Sequence, residues 1–199
     1  MRAFPILPLC AVMAMLSGCA VFQGNPKRMD FLLGRDAPSA GSSGLRGPEL
    51  TVRPFRVSTP YAGQEFVYRT GENRYESDFY NGFFIAPGEM LTEAARQALT
   101  RNGPFVLASA VGSERTAPYV LQGHVDTLYG DFRNAEHPIA IIEWRFTLLK
   151  VNPPTPVLMK RYRAAIPIRE RTPESLVEAW NEGLDDILSQ LKRDIREKL

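Results

Sequence analysis

The sequence predicts an α+β fold, a mostly antiparallel sheet with two helices packed on one face. Three observations predict it. Ala140, Ile142, Trp144, Phe146 and Leu148 alternate with Glu143, Arg145 and Thr147, the two-residue period of a half-buried strand. Pro87 to Asn102 and Thr172 to Leu199 instead carry apolar residues at helical spacing. The order strands, helix, strands, helix keeps the two kinds of element apart, which favours helices layered on one sheet.

In chain order, Met29-Asp30-Phe31-Leu32-Leu33 reads equally as a short strand or as a sticky piece of linker. The globular domain is expected over 49–199. From Leu50 to Ser58, Phe55 and Val57 alternate with Arg56, but Pro54 has no amide hydrogen and implies an edge or a bulge. Glu65 to Arg69, the turn Thr70-Gly71-Glu72, and Asn73 to Tyr80 read as a hairpin. Its second arm should have one wet face, with Tyr75, Ser77 and Phe79 opposite Arg74, Glu76 and Asp78. The first helix aligns Leu91, Ala94, Ala95, Ala98 and Leu99, and Asn102-Gly103-Pro104 stops it. Phe105 to Val111 is a short strand. Tyr119 to Tyr129, Ala140 to Leu148 and Val157 to Ile168 form an expected antiparallel meander, turned by Asn152-Pro153-Pro154-Thr155-Pro156. In the last helix Thr172 caps, Pro173 takes the first position, and Leu176, Trp180, Leu184, Ile187, Leu188, Leu191 and Ile195 form the apolar face.

The N-terminal stretch carries an address. Arg2 precedes a mostly apolar run from Ala3 to Leu16, too short for a membrane-spanning helix but suited to a secretory signal. Leu16-Ser17-Gly18-Cys19 resembles the bacterial lipobox. This implies a signal peptide over 1–18, cleavage before Cys19, acylation of Cys19 and a flexible tether over 19–48, with 181 of the 199 residues kept. Cys10 would leave with the signal and Cys19 would carry lipid, so the mature chain would hold no disulfide. Ala20, standing where an aspartate would retain a lipoprotein at the inner membrane, favours the periplasmic face of the outer membrane in a Gram-negative envelope.

Charge and motif content exclude more than they assign. The formal net charge is only +2, which gives no argument for nucleic acid. The two histidines, His124 and His137, have no ligand-spaced partner, and no phosphate loop or nucleophile elbow is present. No metal or cofactor is expected. Asp126 and Glu143 could be paired carboxylates, but on a wet sheet face such groups are usually just solvated. The residues do not name an enzyme.

Aromatic residues are more informative. Tyr61, Phe66, Tyr68, Tyr75, Phe79, Tyr80, Phe83 and Phe84 crowd into a short stretch. Any one ring is expected in the core, but Tyr80-Asn81-Gly82-Phe83-Phe84 lies between a strand and a helix, where loops are exposed. Phe83 and Phe84 are the leading partner-binding candidates, with Tyr80 and Tyr61 beside them.

The lipobox, the tether, Phe31-Leu32-Leu33, Thr51-Val52-Arg53-Pro54-Phe55, Phe66-Val67-Tyr68-Arg69, Asn73-Arg74-Tyr75, Tyr80 to Phe84 and the Pro87 helix, in that order, resemble the ABC-type transport auxiliary lipoproteins. Phe83-Phe84 stands where many members have a tryptophan. The resemblance implies a non-enzymatic outer-membrane lipoprotein that docks a periplasmic mammalian-cell-entry (MCE) protein and its ABC permease and ATPase in intermembrane lipid transport. The sequence leaves two alternatives: a periplasmic lipid carrier with an apolar pocket, and a structural envelope lipoprotein that assembles with itself.

Overall fold

The structure, a computed structural model, describes residues 27–34, 47–101, 103–110 and 117–199. The expected signal peptide, Cys19 and most of the expected tether lie outside them. In chain order the elements are β1 (Met29–Phe31), β2 (Glu49–Val52), β3 (Arg56–Val57), a 3-10 turn (Thr59–Tyr61), β4 (Glu65–Arg69) and β5 (Tyr75–Phe83). There follow α1 (Pro87–Thr100), β6 (Leu107–Ala110), β7 (Tyr119–Asp131), β8 (Ile139–Lys150), β9 (Thr155–Pro167) and α2 (Pro173–Arg196).

The two-residue period of β8 sets the layers. Ala140, Ile142, Trp144, Phe146 and Leu148 are buried beneath the helices, while Glu143, Arg145 and Thr147 face away. β7, β8 and β9 form the antiparallel meander, with Trp144 opposite Val125 on one side and Tyr162 on the other. The other edge of β7 is met in succession by β2, β3 and β4, all parallel to it. One extended pass of chain is thus cut into three short strands, and the first break falls at Pro54, which has no N–H to give the ladder. β6 adds to β2 in parallel, β5 to β4 antiparallel, and β1 to β5 in parallel. The sheet is therefore mixed: its long ladders are antiparallel, and the short strands bring parallel pairings that no local pattern signals.

Both helices lie on one face. Thr172 Oγ1 accepts a hydrogen bond from the Ser175 backbone N–H at 3.2 Å, and Pro173 opens α2 as expected. Every residue of its predicted apolar stripe is buried. Gly183 lets the helix settle on the sheet, since a Cβ there would stand 2.9 Å from the Ala164 Cβ. Replacing Thr172 with alanine should cost about 1 kcal/mol, read as a lower urea midpoint at unchanged m-value.

The domain reaches further back than residue 49. β1 pairs with β5, Leu33 is buried, and the Gly34 N–H donates to Asn181 Oδ1 on α2 at 2.9 Å. Residues 27–34 belong to the folded unit, so the expected tether over 19–48 contains a strand of the sheet. A second expectation fails in β5. Tyr75, Glu76 and Ser77 are all exposed, so the start of that arm is wet on both faces rather than one.

Candidate docking edge

An irregularity in the β4–β5 ladder builds the site. Glu65 faces Gly82 while Val67 faces Ser77, so five residues of β5 span what two residues of β4 cover. The surplus bulges out of the ladder. The Asp78 carboxylate holds it: Oδ1 accepts from the Tyr80 and Asn81 backbone N–H groups at 2.8 and 3.0 Å. Oδ2 accepts from Asn81 Nδ2 at 2.8 Å and from the Tyr68 hydroxyl at 2.7 Å. With these polar groups satisfied inward, the neighbouring rings turn outward. Phe79 is 79% exposed and meets Tyr80 edge-on at 5.2 Å.

Gly82 closes the bulge, because a Cβ there would lie 2.5 Å from the Gln64 carbonyl oxygen. β5 then runs beside β1, with Asn81, Gly82 and Phe83 opposite Met29, Asp30 and Phe31. Strand alternation decides the fate of the two candidate phenylalanines. Phe83 is 2% exposed and packs on Phe66 at 4.8 Å and Trp180 at 5.5 Å, so it is a core residue and not a surface contact. Phe84 is 65% exposed. The expected exposed loop from Tyr80 to Phe84 is thus mostly strand, because β1, remote in sequence, pairs with it.

Phe79, Tyr80 and Phe84 do not stand alone. Met29, Leu32 and Ile85 are also exposed large apolar residues, on β1 and on the segments flanking the β1–β5 pair. Sequence reasoning missed these and missed Phe79, although Asp78 followed by Asn81-Gly82 is a turn-forming signal inside a strand pattern. Tyr61 is elsewhere. It stacks on Tyr129 at 5.9 Å and 21°, in a small cluster with Val67 and Ile141 on the sheet face away from the helices, and burial pushes its hydroxyl up to about 12.

Burial acts to raise the Asp78 carboxyl, but the hydrogen bonds from Tyr68, Asn81 and the two backbone amides outweigh it and hold the group below its ordinary value. A carboxyl so lowered adds stability that is present above the unfolded value of about 4 and is lost as pH falls through the folded one. Asp78→Asn should therefore cost about 1–2 kcal/mol at pH 7, the smaller end reflecting its partial exposure, and the gap should narrow below about pH 4 in urea titrations.

Among the described residues no three of His, Cys, Asp and Glu are gathered to hold a metal ion. Asp126 and Glu143 do not pair with one another, since Asp126 is held by Arg145 at 2.6 Å and Glu143 by Arg163 at 3.0 Å. His137 is in an exposed loop, and His124 Nε2 lies 3.2 Å from Ser58 Oγ.

Fold and edge together define an α+β domain whose sheet ends in an aromatic bulge. No protein-family model and no curated protein matches the sequence. Solved structures do match the fold. A Xanthomonas campestris protein of the DUF330 family is 16% identical, over 83% of this chain and 90% of that one, with a TM-score of 0.65. An uncharacterised protein is 14% identical, over 85% of this chain and 99% of that one, with a TM-score of 0.67. Among the described residues no helix is long and apolar enough to cross a membrane.

Proposed function

We propose that this chain is a non-enzymatic, lipid-anchored docking subunit at the periplasmic face of the outer membrane, serving an ABC-type, MCE-linked lipid transport system. One observation carries the reading: Phe79, Tyr80 and Phe84 stand exposed on a bulge held rigidly by Asp78, beside exposed Met29, Leu32 and Ile85. Rigid exposed aromatics surrounded by apolar neighbours are the usual anchors of a protein contact. The family resemblance of the sequence supplies the partner, an MCE protein with its permease and ATPase. The lipobox supplies the membrane. Between Cys19 and the first described residue, Lys27, the chain reaches at most about 30 Å, so the docking edge works close to its anchor.

The carrier alternative has less to stand on, because the space between sheet and helices is filled by fully buried Phe66, Trp144, Phe146 and Trp180. The test is a pulldown of the acylated full chain from membranes, with proteins and lipids identified together by mass spectrometry. Capture of an MCE protein that disappears with Phe79→Ser/Phe84→Ser is the expected result. Stoichiometric lipid without such a partner would favour the carrier, and neither would favour a structural lipoprotein.

A further inference from the structure

The sheet face turned away from the helices carries a row of basic side chains in register. Arg56 on β3 is paired with His124 on β7, His124 with Arg145 on β8, and Arg145 with Arg161 on β9. Directly opposed residues on adjacent strands share a face at about 5 Å spacing, and like charges so placed repel. The compensation is thin. Asp126, displaced by a register shift in β7, accepts from Arg145 at 2.6 Å, lies 3.4 Å from Arg161 Nε and 3.6 Å from His124 Nε2. Among the described residues Arg56, and Arg53 beside it, have no acidic partner. By contrast the next row, Thr127, Glu143 and Arg163, balances itself through the 3.0 Å Glu143–Arg163 pair.

The row lines a groove of about 980 Å³ whose walls also include Pro54, Gln122, Thr147 and Met159. Met159 is 72% exposed, so one apolar side chain stands beside the guanidinium groups. We propose that this groove binds the phosphate of an anionic phospholipid headgroup, with Arg53, Arg56 and Arg161 as its donors and Met159 under the start of an acyl chain. Guanidinium groups fit phosphate oxygens with paired hydrogen bonds, and Arg53 and Arg56 are free to donate them. An amphiphile suits a groove that sets an exposed methionine beside its guanidinium groups. A polyanion such as nucleic acid does not, because the whole chain carries a net charge of only +2. The site rests on the outer sheet face alone and is independent of the docking edge on β1 and β5.

The test is native mass spectrometry of the full chain in dodecyl maltoside micelles doped with phosphatidylglycerol or with phosphatidylcholine. One phosphatidylglycerol should be retained, with phosphatidylcholine retained about ten-fold less. Arg56→Gln/Arg161→Gln leaves the Arg145–Asp126 pair intact and should weaken retention by about ten-fold. Arg56→Gln alone should weaken it without lowering the melting temperature, because it removes a charge that has no acidic partner among the described residues. Equal retention of the two lipids, or undiminished retention by the double variant, overturns the proposal. Binding of inorganic phosphate at the same affinity, with no gain from the lipid, overturns the lipid assignment in favour of a free anion.

Discussion

Replacing Trp180 with alanine should cost about 3–5 kcal/mol, among the largest losses expected from a single substitution in this chain. Trp180 is fully buried and is where three parts of the fold meet. Its ring packs edge-on to Phe66 of β4 at 5.1 Å and against Phe83 of β5 at 5.5 Å, while its own helix spans β8 and β9. Phe66 in turn touches Phe31 of β1 at 5.5 Å. Truncation leaves a cavity under the edge that carries the bulge, not under the long meander, which is stitched by its own ladders. Against a typical stability of about 5–15 kcal/mol, this should lower the melting temperature by roughly 10 °C, with Trp144 left as the fluorescent reporter. Phenylalanine at the same place should cost less than alanine, because it leaves a smaller cavity. The buried indole N–H has no acceptor among the described residues, so that change forfeits no hydrogen bond.

The reasons such a site was partly legible are local. Leu176, Trp180, Leu184 and Ile187 fall at helical spacing behind Thr172-Pro173, so the cap, the start and the buried face of α2 could all be read directly. The alternation through β8 was equally plain, and with it the side of the sheet on which Glu143 and Arg145 would emerge. What could not be read was pairing between distant stretches. Three residues from Met29 to Phe31 have too little pattern to decide between strand and linker, and nothing in them names β5 as the partner that turns an expected loop into sheet. Likewise nothing in Arg56, His124, Arg145 and Arg161, spread over more than a hundred positions, hints that β3, β7, β8 and β9 set them side by side. Register, unlike period, is a property of two strands at once.

Register also separates the two phenylalanines that the sequence treats as one candidate. Phe83→Ser should behave as a core substitution, because Phe83 is packed between Phe66 and Trp180. It should lose about 3–5 kcal/mol, and the buried hydroxyl would add to that cost unless it found a partner. Any loss of partner capture would follow from unfolding and would track the fraction folded. Phe84→Ser removes an exposed ring one residue further on, and stability should change by no more than about 0.5 kcal/mol. Combined with Phe79→Ser, it should lower capture of the docking partner by about ten- to a hundred-fold while the urea midpoint stays in place. Measured side by side, the pair distinguishes an anchor from a support. Loss of capture by Phe83→Ser beyond its unfolded fraction would show that this ring too touches the partner, and that the edge opens on binding. Undiminished capture by Phe79→Ser/Phe84→Ser would remove the docking edge from β5 altogether.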